Sequence, residues 1–430
     1  MSSRGRVEWS RLENAAKIFP PTSGLRDTKV FRFACELREP VDRELLQKAL
    51  DRTLPEYPFY RSIMKRGLFW YYLEATSRPV TVEEEGDRAC APLYDGDRKS
   101  LLFRVSFRGC RLNLEVYHAI SDGTGALHFL RLLVCHYLAL AHGGGEELPP
   151  GLEDGSSRQE KQDDSFRRYY RKSAGYRGRT RRAWRFSGEY LPDYRLGVIE
   201  GCTSVKAALA LAKGYGCTLT VLMVALFIRA IHEEMPLSEQ GRPVVISVPV
   251  NLRNFYPSAS ARNFFSTMEV EYDFSQGPDT LEAVVEAVAQ GFRRELSPER
   301  VEARMNHYSA MEHNMLMRAI PLPLKDLVMR RAVRRSEATI TGAFSNVGKI
   351  RMPAALAPYI RRFDVFSSTR RLQICMCSFE DELTISFTSP FVSAGIPRSF
   401  FRSLARLGLE VEISTNRRDE EERPQTPGEE

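Results

Sequence analysis

The sequence is poor in the pairings that build metal sites or disulfide frameworks. Its eight cysteines, Cys35, Cys90, Cys110, Cys135, Cys202, Cys217, Cys375 and Cys377, make no C-x-x-C pair. Cys375 and Cys377 stand two apart, the spacing of one strand face rather than of a metal knuckle. Reduced structural thiols are therefore expected, with no metal and no disulfide. No apolar run reaches the roughly 20 residues of a bilayer-crossing helix. The best candidate, Leu219 to Ile231, is too short and contains Arg229. The first residues, Met1 to Trp9, hold no apolar signal region. These absences set the expectation of a cytoplasmic protein that is not transmembrane. The basic residues follow no recognisable reading motif, so nucleic acid is not expected as a partner. Residue identities show no internal repeat.

What is present is an ordinary globular composition, with 43% hydrophobic and 27% charged residues. A chain of 430 residues is too long for one ordinary core, so two domains are expected. The formal net charge of +7 suits an anionic ligand, such as a phosphate-bearing cofactor, or an acidic partner. Mixed helical and strand patterns fill both halves, which makes the fold class α/β. The first half is read as 1–187 and the second as 188–415. Between them, 146–187 is polar and basic, with Arg167, Arg168, Arg171, Lys172, Arg177, Arg179, Arg181, Arg182 and Arg185 interleaved with Tyr169, Tyr170, Tyr176 and Trp184. This segment reads either as a solvated crossover or as a site for cofactor phosphates or a carrier domain. The acidic, proline-containing tail, 416–430, is expected to be disordered.

The chain is organised around Leu112 to Leu138. Alternating residues from Leu112 to Val116 predict a strand ending at Tyr117. His118 follows, then Ala119-Ile120-Ser121-Asp122-Gly123, and a helix begins around Gly125 with Leu127, Leu130, Leu133, Val134, Tyr137 and Leu138 on one side. A histidine at a strand end, followed by an Asp-Gly turn into a helix, is a compact catalytic arrangement. The plain alternative is a helix cap by Ser121 or Asp122, with His118 the last strand residue.

Four segments, in this order, resemble one family. They are Arg11-Leu-Glu-Asn-Ala-Ala-Lys-Ile-Phe-Pro20, the helix of 42–54 with Tyr57-Pro-Phe-Tyr-Arg61, His118-Ala-Ile-Ser-Asp122-Gly123, and Val248-Pro-Val-Asn-Leu-Arg253 with Ser345-Asn-Val-Gly348 downstream. Together they look like the CoA-dependent acyltransferase superfamily. It includes chloramphenicol acetyltransferase, the condensation domains of nonribosomal peptide synthetases and mycobacterial polyketide-associated acyltransferases. Within it the chain is most similar to stand-alone bacterial alcohol acetyltransferase-like proteins. The resemblance implies two related lobes packed into a V-shaped pseudo-dimer, with a central channel and His118 midway along it. Two departures are visible. Tyr117 stands where condensation domains usually carry a second histidine, which argues against a peptide-synthetase role. The Asp-Phe-Gly-Trp-Gly motif of plant members is absent.

A thioester is already activated, so such an enzyme must mainly deprotonate and position the acceptor. A neutral imidazole titrating near 6.5 suits this, and a positioned base is typically worth about 10²–10⁴ in rate. His118 is the expected base. The resemblance makes Asp122 structural, paired with an arginine that locks the loop: Arg61 is the first candidate and Arg253 the second. Gly123 is expected in a backbone conformation closed to other residues. Asn346 reads equally as a donor to the thioester oxyanion or as a turn residue before Gly348.

The expected activity is transfer of an acyl group from a CoA thioester to an alcohol hydroxyl. Acyl-CoA is then a co-substrate, no cofactor is permanently bound, and the acceptor is a small alcohol or lipid. One alternative takes the acyl group from an acyl carrier protein. The other is a non-catalytic ligand-binding module of the same fold. A monomer is expected, because the fold supplies two lobes within one chain.

Overall fold

A computed structural model of the chain describes residues 9–13, 15–96, 100–143, 157–171, 181–313 and 320–417. Its strands in chain order are β1 Trp9–Arg11, β2 Val30–Leu37, β3 Ser62–Arg66, β4 Tyr71–Ala75, β5 Glu83–Glu84, β6 Phe103–Arg108 and β7 Arg111–Tyr117 in the first half. The second half holds β8 Gly197–Ser204, β9 Val244–Asn251, β10 Phe265–Tyr272, β11 Gly342–Lys349, β12 Ile360–Ser367, β13 Leu372–Phe379, β14 Glu382–Ser389 and β15 Glu412–Thr415. They form a small sheet β1-β4-β3, a five-stranded sheet β12-β2-β7-β6-β5 and a seven-stranded sheet β10-β9-β11-β13-β14-β8-β15.

Each large sheet is covered by helices whose starts are written in the sequence. Asp42 caps the Arg43–Thr53 helix, its side chain accepting from the Leu45 amide at 2.9 Å. Thr218 caps the Leu219–Glu233 helix through the Val221 amide. That helix is apolar on nearly every side because it is buried against β9 and the C-terminal Gly395–Arg406 helix. The Gly123–Ala141 helix fills the first half and buries Phe129, Leu130, Leu133 and Val134. By length and hydropathy this helix could cross a membrane, which the reading centred on Leu219 to Ile231 did not foresee. More than half of its apolar window lies inside the protein, as the central helix of a core does.

The two halves are not sealed at a single boundary. Strand β12, from the second half, pairs antiparallel with β2, setting Phe363 opposite Cys35 and Asp364 opposite Ala34. Around this seam Arg111 reaches both Glu200, at 3.2 Å, and Asp364, at 2.6 Å. Burial raises the Asp364 carboxyl to about 7, against the pull of Arg111. Cys375 and Cys377 lie on one face of β13, both buried, as their spacing predicts.

Of the basic crossover, Lys172, Tyr176, Arg177 and Arg179 lie outside the described residues. Its described arginines, Arg167, Arg168, Arg171, Arg181, Arg182 and Arg185, are exposed, while a few apolar residues anchor the segment. Phe166 is fully buried edge-on to Phe264, and Trp184 is buried with its indole N–H donating to Glu239 at 2.8 Å. The start of the expected tail is bonded to the fold. Asn416 donates to the Leu196 carbonyl, and Arg417 donates to the carbonyls of Val392 and Phe391. The rest of the expected tail lies outside the described residues.

Candidate active site

Strand β7 pairs with β2 and β6, and its last residue, Tyr117, lies opposite Val30. The chain then leaves the sheet. The His118 amide donates to the Lys29 carbonyl at 2.8 Å, and the Ile120 amide closes a turn onto the Tyr117 carbonyl at 3.1 Å. Strand alternation sends the Tyr117 hydroxyl to Ser23, 2.8 Å away, while its ring stacks on Tyr94. Tyr117 is thereby part of the frame of the first half.

His118 is partly exposed and sits where the halves meet. Phe19 stacks on its ring at 4.6 Å and 18°, and Phe31 meets it edge-on at 4.9 Å; both come from the first half. From the second half Phe265 closes in at 5.4 Å, and Asn263 clasps the residue from two sides. The Asn263 Nδ2 group donates to the His118 carbonyl at 2.9 Å, and its Oδ1 lies 3.3 Å from His118 Nδ1. The Asn263 Oδ1 beside Nδ1 is an acceptor, which favours the tautomer with the proton on Nδ1 and the lone pair on Nε2. Burial among the aromatic rings lowers the His118 pKa below the ordinary 6.5, with the Asp122 carboxylate pulling the other way.

Asp122 does not orient the imidazole; its oxygens are committed elsewhere. Oδ1 accepts from the Gly125 amide at 3.0 Å and caps the following helix. Oδ2 accepts from Arg253 Nη1 and from the Phe264 amide, both at 2.8 Å. Capping and loop bracing are thus both performed by one side chain. Arg253 spends its remaining donors on the Ser260 and Arg262 carbonyls, each at 2.7 Å, which ties the 260–264 loop to the turn after His118. The Ser121 hydroxyl reinforces the junction by donating to the Ala261 carbonyl at 2.6 Å.

Two expectations for this turn are corrected. Arg61, the first candidate partner of Asp122, is exposed at the entrance to β3, and Arg253 holds the pair. Gly123 has an ordinary negative φ, and a Cβ there would meet nothing within 4 Å. The glycine that matters is Gly125. A Cβ there would lie 1.8 Å from the Ala261 carbonyl oxygen and 2.4 Å from Ser121 Oγ. The need is for close approach between halves, not for a left-handed backbone.

Beneath Asn263 lies a residue that the sequence pattern did not single out. Glu13 is buried, accepts from the Asn263 amide at 2.8 Å, and lies 2.8 Å from Arg262 Nε. Burial raises its carboxyl to about 8, with Arg262 pulling it down. Asn346 is exposed at an irregularity in β11. Its Nδ2 donates to Thr220 Oγ1 and its Oδ1 accepts from the Gly348 amide, each at 2.8 Å. Gly348 has φ +85°, and Asn346 makes the contacts of a turn residue before it. Two small surface clefts at the junction are both lined by residues that include Arg26, Tyr194 and Arg195, and neither includes His118. Among the described residues no group of histidine, cysteine or carboxylate side chains could hold a metal ion.

No family model matches the chain, and no curated protein matches it. Solved structures do. The chain superposes on the TRI3 trichothecene 15-O-acetyltransferase of Fusarium sporotrichioides with a TM-score of 0.62 at 12% identity, covering 95% of this chain and 96% of that one. It also matches the F. graminearum TRI101 structure complexed with coenzyme A and deoxynivalenol, with a TM-score of 0.61 at 12% identity and coverage of 93% and 97%. The first condensation domain of the CDA synthetase gives 0.60 at 16% identity, with coverage of 94% and 96%. The two-lobed architecture expected from the sequence is therefore the fold of this chain, shared over nearly the whole length of these proteins.

Proposed function

We propose that the protein is an acyltransferase that moves an acyl group from a CoA thioester to an alcohol hydroxyl, with His118 as general base. The observation that carries this reading is the state of the imidazole. Its pKa is lowered by burial, its Nδ1 lies 3.3 Å from Asn263 Oδ1, and the residue is partly exposed between elements of both halves. Fold alone does not choose a chemistry. Its neighbours nevertheless include an O-acetyltransferase and a protein crystallised with coenzyme A, and the base is in the form that such a transfer needs.

In the proposed reaction an alcohol approaches Nε2 through its O–H. As the oxygen attacks the thioester carbonyl carbon, its proton passes to Nε2. The Asn263 clasp keeps Nδ1–H directed inward, so the resulting imidazolium is stabilised where it forms. The tetrahedral oxyanion then collapses, the C–S bond breaks, and Nε2 returns its proton to the departing sulfur. The products are an ester and a free thiol, with no acyl-enzyme. Asn346 keeps one Nδ2 hydrogen beyond its bond to Thr220 and is the proposed donor to the oxyanion. The proposed lobes are 1–187 and 188–415, with β12 of the second crossing over to complete the sheet of the first, and with the acyl donor and the acceptor entering a channel between them from opposite sides.

The test is thiol release from acetyl-CoA and longer acyl-CoAs with a panel of alcohols and amines, comparing wild type with His118→Ala. Release that needs an alcohol and drops about 10²-fold or more in the variant supports the reading. Equal rates remove His118 as the base. Transfer from an acylated carrier protein, but not from CoA, replaces the donor. Binding without turnover of any donor leaves a ligand-binding module of this fold.

A further inference from the structure

We propose that the outer face of the Leu322–Glu337 helix, with the adjoining β3–β4 turn, docks on an anionic phospholipid bilayer. This helix is held from one side only. Leu322 is buried and its amide donates to the Leu68 carbonyl at 2.8 Å. Lys325 Nζ donates to the Phe69 carbonyl at 3.0 Å, and the buried Asp326 accepts from the Tyr71 hydroxyl at 2.7 Å. At 100° per residue, the opposite face carries Leu324, Leu327, Val328, Arg331, Arg334 and Arg335. The three aliphatic residues are 55%, 62% and 57% exposed, and the three arginines are also exposed. No carboxylate interrupts this face.

A helix on a polar surface turns polar residues outward. Here the first two outer turns are aliphatic and the last two are cationic. The small sheet that the helix packs on also exposes large apolar residues: Leu68, 69%, and Trp70, 42%, in the β3–β4 turn, and Trp9, 60%, on β1. Arg11 lies over the Trp70 ring at 5.3 Å. Scattered exposed apolar side chains need no explanation; six large ones on one helix and the small sheet beneath it do.

The charge pattern selects the occupant. Aliphatic side chains, two tryptophans and a run of arginines match a membrane interface, where acyl chains and phosphates lie within a few ångströms of each other. A second copy of the chain fits poorly, since this face carries no carboxylate to meet the arginines in an isologous contact. The net charge of +7 adds a long-range pull toward an anionic surface. The helix also lies over the Phe19–Thr22 segment, with Arg330 Nε donating to the Pro21 carbonyl at 2.8 Å. Phe19 of that segment stacks on His118.

The experiment is flotation of the full chain with vesicles of phosphatidylcholine alone or mixed with phosphatidylglycerol, at low and high salt. The intact protein should float with the anionic vesicles only, and less as salt rises. A Leu324→Glu/Leu327→Glu variant should stay at the bottom of the gradient while its thermal unfolding is unchanged, because both side chains are solvent-facing. Each of Arg331, Arg334 and Arg335 changed to Gln should weaken binding by about fivefold. Failure of the intact protein to float with anionic vesicles at low salt overturns the proposal, as does equal flotation of the Leu→Glu variant. Concentration-dependent self-association that this variant abolishes would also overturn it, by assigning the face to a second copy.

Discussion

Removing the Asp122 carboxylate should damage folding and transfer together, and the structure gives the size of the effect. Asp122 is buried, and Arg253, whose side chain is only 10% exposed, donates to it at 2.8 Å. Breaking such a pair from one side typically costs about 3–5 kcal/mol, because the surviving charge is left in a poorly solvated place. Asp122→Ala also deletes the helix cap on Gly125, worth roughly 0.5–2 kcal/mol. It further strips the Phe264 amide of its acceptor. Asp122→Asn keeps the cap but turns an N–H toward two donors, so it should sit between Ala and wild type. The decisive measurement is a double-mutant cycle with Arg253→Met, read by urea unfolding. The single variants should each lose several kcal/mol, and the double variant should recover a large part. The coupling should exceed about 2 kcal/mol, the range of contacting networks. Losses that simply add would refute the pairing. So would an Asp122→Ala protein that unfolds like wild type yet transfers nothing, since Asp122 would then act on the chemistry directly.

Other outcomes follow from the same geometry. Because burial holds His118 below 6.5, more than half of the transfer activity should remain at pH 6.5. The acid limb of kcat/KM should have its midpoint below 6.5, and an acid limb above it would refute the assigned environment. Asn263→Ala should lower kcat by about tenfold or more with little change in KM, while Asn263→Asp should move the acid limb upward by placing a negative charge beside the ring. Gly125→Ala should destabilise strongly, since its Cβ would fall 1.8 Å from a backbone oxygen, whereas Gly123→Ala should be tolerated; unfolding curves rank the two. Glu13, with its carboxyl raised to about 8, is protonated when folded over a range where the unfolded chain has released its proton. Its stabilising contribution is full below about 4.5 and is lost as pH rises through about 8, so Glu13→Gln should flatten the fall of melting temperature over that window.

The parts of this molecule that could be read in the sequence are those specified by neighbouring residues. Alternation from Leu112 to Val116 gave β7, the pair Gly109-Cys110 marked its hairpin with β6, and Thr218 announced the helix it caps. Features set by approach across the fold were not legible. Asn263 meets His118 across 145 residues, and no local spacing announces that. The choice of Arg253 over Arg61 likewise depends on which loop folds back onto Asp122. The segment Val80 to Glu84 has a strand pattern but contributes only β5, because the Gln47 side chain bonds the Val80 carbonyl and the Val82 amide in place of a neighbouring strand. Strand β15 escaped notice for the opposite reason: all four of its residues are exposed, so it has no apolar rhythm to detect.

The pairing of β12 with β2 has a consequence for how the chain is made. Until residues 360–367 have left the ribosome, the edge of β2 that carries Phe33 and Cys35 has no partner, and a bare edge of this kind invites pairing with other chains. The amino-terminal portion therefore cannot be finished in the order in which it is synthesised. Cutting the polypeptide at its apparent midpoint should yield a fragment that precipitates, and adding the missing carboxy-terminal piece in trans should rescue it.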